Sequence, residues 1–212
     1  MASELKGLSE YDYNAVPNAK GYRFGIIVTD YHTDITFALL EGAQNALLEH
    51  GVLAEDIEVH HVPGTYELPY AARLMQEVQY PGVQAIICLG CVITGETRHD
   101  EYINQAVAQG IMQLNLREHD EGSNADCPVI FGVLTPQTHQ QAKDRAGGKH
   151  GNKGVETAIA AIKMAALRRK IHHDSKEAWE KRLWEINEEM SKEYEDEHTA
   201  NSDDNDSTPL PF

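Results

Sequence analysis

The residues best equipped for chemistry are the run Gly95-Glu96-Thr97-Arg98-His99 and, further along, Arg145. Gly95 lets a ligand approach the backbone closely, and Thr97 offers a hydroxyl and an amide. The helix expected from about Asp100 points its positive end at the same place, a combination that suits a phosphate. His99 stands beside it, and an imidazole with an unperturbed pKa of about 6.5 both gives and takes protons near neutrality. From these residues alone, the run is either an anion site with a proton carrier or a histidine packed at a helix start. Arg145, followed by AGGKHGNKG with Lys149 inside it, adds a planar cationic fork that fits a phosphate or a carboxylate. This is not a nucleotide P-loop, since the order G-x-x-x-x-G-K-[ST] is absent and no strand immediately precedes it.

Two earlier segments carry further candidates. In Thr29-Asp30-Tyr31-His32-Thr33 an exposed Tyr31 offers a face for stacking on a planar ring and His32 a hydrogen bond, although a loop tyrosine also packs on a surface. In Val62-Pro63-Gly64-Thr65-Tyr66-Glu67 a tight turn presents amides at a helix start, with Thr65 and Glu67 available for hydroxyl-bearing ligands; the plainer reading is Thr65 and Glu67 as helix caps. The 11 histidines show neither H-E-x-x-H nor Cys/His pairs at ligand spacing, so no metal site is expected. Cys88 and Cys91 form a C-x-x-C, but AIICLGCVI is an apolar run that reads as a buried strand, and with Cys127 the odd count implies no disulfide framework.

These loops need a frame that brings them together. Four short β-branched apolar runs, Phe24 to Val28, Ile57 to Val62, Val83 to Leu89 and Val129 to Leu134, alternate with helical patterns. That alternation predicts an α/β three-layer sandwich with a central four-stranded parallel sheet, flavodoxin-like and doubly wound, in which ligands bind beyond the carboxyl ends of the strands. Helices are expected over Thr36 to His50, about Glu67 to Val78, from near Asp100 through Leu114, His139 to Arg145 and Val155 to Lys170. Residues 117–127 read as a polar loop and AGGKHGNKG as a glycine-rich basic hinge.

The chain of 212 residues carries a net charge of −16, of which residues 172–212 hold 13 acidic against 4 basic side chains. Such a balance disfavours nucleic acid as a partner. Neither a leader-like apolar region nor an apolar run long enough to span a membrane is visible, so a soluble, cytoplasmic protein with no membrane partner is expected. The expected organisation is an N-terminal arm (1–21), an α/β domain (22–171), an acidic amphipathic tail helix (172–198) with Trp179, Leu183, Ile186, Met190 and Tyr194 along one face, and a disordered C-terminus (199–212).

Taken together and in order, VPGTYELP, LGCVITGETRHDEYI, PVIFGVLT, QAKDRAGGKHGNKG and the helix from Val155 closely resemble the 6,7-dimethyl-8-ribityllumazine synthase family over roughly residues 22 to 168. The resemblance implies condensation of 5-amino-6-ribitylaminouracil with 3,4-dihydroxy-2-butanone 4-phosphate in riboflavin biosynthesis, releasing phosphate and water, with no metal or organic cofactor. It also implies a homo-oligomer, a pentamer or a sixty-subunit shell, and allows riboflavin synthase as a partner. By the same resemblance Tyr31 stacks on the pyrimidine with His32 beside it. Gly64, Thr65, Tyr66 and Glu67 hold the ribityl chain, and backbone near Val92 and Ile93 reads the pyrimidine edge. Gly95, Glu96 and Thr97 match the phosphate loop, Arg145 the phosphate clamp with Lys149 nearby, His99 the proton-transfer residue and Glu156 an acid that orients it. Phe131 and Arg145 are implied to come from a neighbouring subunit.

Two positions depart from the family pattern. His32 stands where asparagine is common, and Asp100 follows His99 where an aromatic is usual, although some members carry R-H-D. With the acidic tail, these leave a second reading beside the enzyme: a diverged, non-catalytic relative that binds flavin or lumazine or serves as an assembly protein.

Overall fold

The four apolar runs form one parallel sheet, β1 (Phe24–Thr29), β2 (Ile57–Val62), β3 (Ala85–Cys91) and β4 (Val129–Leu134), in the order β2-β1-β3-β4. The structure is a computed structural model and describes residues 9–77, 82–117 and 126–200, with side chains followed to residue 188. Between and after the strands run α1 (Thr33–Glu49), α2 (Leu68–Glu77), α3 (His99–Leu116), α4 (His139–Asp144) and α5 (Lys153–Ala200).

Strand side chains alternate between two faces, and each face has its own core. Phe24, Ile26 and Val28 of β1 and Ile87 and Leu89 of β3 pack with Ile35 and Leu39 of α1 and with Ala158 and Ile162 of α5. Ile27, Ile86 and Cys88 pack on the other side with Leu68 and Ala72 of α2 and with Val107 and Ile111 of α3. This is the expected doubly wound, three-layer α/β sandwich. Each fully buried leucine or isoleucine contributes on the order of 1.5–3 kcal/mol, so the two cores dominate the stability of the frame. Val16, Ala19 and Tyr22, in the segment ahead of β1, are also buried in the first core.

Several boundaries differ from expectation for visible reasons. β3 lies two residues later than the run Val83 to Leu89, because Gln84 is occupied with Arg23: its N–H donates to the Arg23 carbonyl at 2.8 Å and its Oε1 accepts from the Arg23 N–H at 2.5 Å. Its far end persists because Gly90 and Cys91 still pair with Val133 and Leu134. α1 begins at Thr33 rather than Thr36, since the His32 carbonyl accepts from the N–H groups of Ile35 and Thr36 at 2.8 and 2.9 Å. The glycine-rich stretch expected to be a hinge is a small antiparallel pair, β5 (Ala146–Gly148) and β6 (Gly151–Asn152). Most of the polar loop, residues 118–125, lies outside the described residues, but Cys127 at its end is buried and its carbonyl accepts from Gln76 Nε2 at 2.7 Å.

The β5–β6 pair is tied to α1. Asn152 donates from Nδ2 to the Ala38 carbonyl at 2.8 Å and accepts the Gly154 N–H on Oδ1 at 2.7 Å. Any Cβ at Gly154 would collide with the Leu39 carbonyl, and one at Gly42 with the Asn152 amide. Glycine at both positions lets α1 and the start of α5 approach at backbone distance.

The chain divides into two units, residues 1–167 and 168–212. In the second, α5 continues to Ala200 with Trp179, Leu183 and Trp184 exposed and with Lys176–Glu180 and Arg182–Glu185 pairs on its surface. Met190 and Tyr194 of the expected stripe, and the segment 201–212 expected to be disordered, lie outside what is described of side chains and backbone respectively. Among the described residues no helix is long and apolar enough to cross a membrane.

Candidate active site

The carboxyl ends of β1, β2 and β3 open into a cleft of about 430 Å³. Into it the loops bring Tyr31 and His32 from β1, Gly64 to Glu67 from β2, and Val92, Ile93, Gly95, Thr97 and His99 from β3. Eleven of the residues singled out in the sequence therefore share one cavity. Cys91, Asp100 and Ile103, none of them given a role at the site there, also line it.

Each wall has a local cause. Tyr31 is 68% exposed, and its ring meets that of His32 edge-on at 5.3 Å, which leaves an aromatic face open to the cleft. His32 is the one non-glycine residue with positive φ among those described, at φ 57 and ψ 54. This left-handed conformation turns the chain from β1 into α1. Asn, Asp and His are among the non-glycine side chains that tolerate it best, which gives a physical account of a histidine at this position.

The turn after β2 is a single 3-10 turn over Thr65–Glu67, capped by Gly64 without a side-chain hydrogen bond. Thr65 is buried and packs on Gly90 of β3, so the capping role suggested for it is not realised. After β3, the Val92 and Thr94 N–H groups donate to the Leu134 and Pro136 carbonyls at 2.9 and 3.0 Å, extending the ladder and fixing the direction of the loop. Gly95 faces open space, since a Cβ there would meet nothing within 4 Å. Internal packing therefore does not account for its being glycine. His99 opens α3 and is exposed; Arg98, the cap residue, is turned to Glu101 at 2.7 Å instead. Glu96 is exposed and does not line the cleft.

Arg145 and Lys149 lie elsewhere in the chain. They line a second cleft of about 520 Å³ beyond β4, with Thr135, Gln141, Asp144, His150 and Lys153. Arg145 is braced on three sides: Nη1 donates to the His150 carbonyl at 2.8 Å, and the guanidinium pairs with both oxygens of Glu156, at 2.7 and 3.0 Å. Glu156 also takes Lys153 at 3.1 Å and a hydrogen bond from Ser9 at 3.2 Å. Burial pulls the Glu156 carboxyl upward, but hydrogen bonds from Arg145 and Lys153 outweigh it and hold it below the usual carboxylate value. Asp144 is likewise held low, first by a hydrogen bond from Gln140, with Lys149 adding to it against partial burial.

This chemistry was only partly legible. Lys153 was not singled out, and its signal was a second lysine four positions beyond Lys149 in an acidic protein. Metal-type donors cluster, among the described residues, only at His173, Asp174 and Glu177, exposed on α5 and lining neither cleft.

The family model described as 6,7-dimethyl-8-ribityllumazine synthase matches residues 21–169, more than half of the chain and all of both clefts. This chain belongs to the 6,7-dimethyl-8-ribityllumazine synthase family. Among curated relatives bearing that description, one from Porphyromonas gingivalis is 51% identical over 169 residues, covering 80% of this chain and 99% of its own. One from Flavobacterium johnsoniae is 50% identical, covering 79% and 84%, and one from Parabacteroides distasonis 48%, covering 77% and 97%. Residues 170–212 lie beyond the segment matched by the family model.

Two further residues given roles by resemblance to the lumazine synthase family do not line the first cleft of their own chain. Within the chain the oxygens of Glu156 are taken by Arg145, Lys153 and Ser9. Phe131 lies on β4, half-buried against the α2–α3 core, and lines neither cleft.

Proposed function

We propose that this chain condenses 5-amino-6-ribitylaminouracil with 3,4-dihydroxy-2-butanone 4-phosphate to 6,7-dimethyl-8-ribityllumazine, and that the reacting site is completed by a second copy. The observation that carries this reading is the division of labour between the clefts. One holds a ring-stacking face and the proton carrier, Tyr31 and His99; the other holds the cations Arg145, Lys149 and Lys153. A phosphorylated substrate needs both, and a neighbour's second cleft set against the first supplies both.

In this arrangement the pyrimidine lies on Tyr31, and the ribityl hydroxyls meet the turn Gly64 to Glu67. The phosphate rests at Gly95 to Thr97, where the amino end of α3 and the absence of a Cβ favour it. The amine of the pyrimidine attacks the ketone carbonyl and water leaves to give an imine. Phosphate is then eliminated, and the ribitylamino nitrogen closes the ring on the carbonyl so formed, with loss of a second water. His99, at the cleft wall, moves the protons these steps require, and Arg145 receives the charge that builds on the departing phosphate. No step transfers electrons. The same reading makes the protein a cytoplasmic pentamer, with a sixty-subunit shell as its larger form.

Incubating the purified protein with both substrates tests the activity: lumazine absorbance appears and phosphate is released in equal amount. Absence of product where a control lumazine synthase turns over would sink the proposal.

A further inference from the structure

The second cleft contains a histidine that the reaction above does not use. His150 sits at the turn between β5 and β6. Its N–H donates to the Asp144 carbonyl at 2.8 Å and its carbonyl accepts from Arg145 at 2.8 Å, so its backbone is held on both sides. The residue lines the cleft, yet its Nδ1 is buried and without a hydrogen-bond partner among the described residues.

That asymmetry decides where the ring proton goes. A buried N–H with no acceptor forfeits its hydrogen bond, which makes Nδ1 a poor place for a proton. The neutral ring therefore carries its hydrogen on Nε2, the nitrogen that can still reach a ligand.

The surrounding cations give this donor its importance. Arg145 and Lys153 are engaged by Glu156 at 2.7 and 3.1 Å, and Lys149 by Asp144 at 3.2 Å. An arriving phosphate must compete with a carboxylate for each of these charges, Glu156 for Arg145 and Lys153 and Asp144 for Lys149. Asp144 acts on the His150 ring only electrostatically, and no ion pair or hydrogen bond occupies its Nε2 among the described residues.

We infer that His150 donates a hydrogen bond from Nε2 to the phosphate of the substrate and sets the affinity of this cleft for a phosphate monoester. The inference rests on the phosphate-eliminating reaction proposed above, and it adds a binding residue to it. His150 contributes a directed hydrogen bond, while Arg145 contributes a fixed charge.

Two substitutions separate this role from a structural one. His150→Gln keeps an amide N–H at the ε position, whereas His150→Asn stops at the δ position. Inorganic phosphate serves as the probe, titrated calorimetrically into the intact assembly and used as a competitive inhibitor. The Asn variant is expected to bind phosphate on the order of tenfold more weakly, the scale of one hydrogen bond to a charged group, and to raise KM for the phosphorylated substrate more than it lowers kcat. The Gln variant is expected to stay within about twofold of the parent on this hydrogen-bond scale. An Asn variant that binds phosphate like the parent overturns the assignment. So does an equal loss in both variants accompanied by a lower unfolding temperature, which marks His150 as a brace for the turn. Parent protein that neither binds phosphate nor turns over removes the underlying reaction instead.

Discussion

Arg145 and Glu156 face each other as a fork on a carboxylate, Nη1 to Oε1 at 2.7 Å and Nη2 to Oε2 at 3.0 Å, with both side chains about one-fifth exposed. The pair is eleven residues apart in sequence and spans the β5–β6 turn, so it sets the direction in which the guanidinium points.

Replacing Glu156 with Gln is therefore expected to cost about 1–3 kcal/mol, because Arg145 and Lys153 lose their common counter-charge in a half-buried setting. The pH dependence has a definite sign. The folded carboxyl lies below its ordinary value of 4.5, so its stabilisation is complete above that value and disappears as pH falls through the lower folded value. Urea unfolding from pH 6 down to pH 3 should show the parent losing stability more steeply than the Gln variant; parallel curves would remove the pair from the stability account.

A site made from two copies predicts complementation. His99→Ala and Arg145→Ala proteins, each nearly inactive alone, should regain activity after mixing and reassembly. With random placement, about one quarter of shared sites receive both intact side chains. Failure to exceed the summed activities of the separate variants would place both residues in one chain's own site.

His32 is held in left-handed backbone, which costs a branched side chain on the order of 1–2 kcal/mol more than it costs Asn or Gly. His32→Asn should melt at or slightly above the parent temperature and His32→Val several degrees below. The activity of the Asn variant then reports what the imidazole itself adds beside Tyr31.

Burial pushes the Cys88 thiol up to about 12, and burial with a contribution from Asp34 does the same for Cys91. Cys127 is buried as well. None should react with Ellman's reagent in folded protein at pH 8, and all three should react in denaturant. Rapid labelling of folded protein at Cys88 or Cys91 would mean that β3 opens locally, and at Cys127 that the segment before β4 does.

Fold and site were legible to different degrees. The sheet could be read because Phe24 to Val28, fully buried, and Val129 to Leu134, buried apart from the half-buried Ile130 and Phe131, are apolar runs rich in β-branched residues, so local preference and tertiary burial agree. The first cleft could be read because open sheets bind ligands past their strand ends, and the loops there carry Tyr31, Thr97 and His99. AGGKHGNKG was misread as a hinge because glycine permits flexibility and tight pairing alike, and only Asn152 bonding to Ala38 distinguishes them. The in-chain partners of Glu156 were not legible for a related reason: which cation a carboxylate meets depends on a turn whose path the local residues do not announce.

Helix α1 has a consequence for any assembly. Its first residues follow Tyr31 and His32 at one cleft, while Ala38, Leu39 and Gly42 grip Asn152 and Gly154 beside the other. From His32 to Gly42 is ten residues, about 15 Å of helix at 1.5 Å each, and this rod indexes both clefts to a common ruler. One residue inserted between them would rotate the grip by about 100° and translate it by about 1.5 Å, setting the two ends, and the buried face of Leu39, Ala43 and Leu47, out of register. A ring of such subunits inherits its tolerances from that single helix, so errors in spacing would be repeated at every joint instead of averaged away.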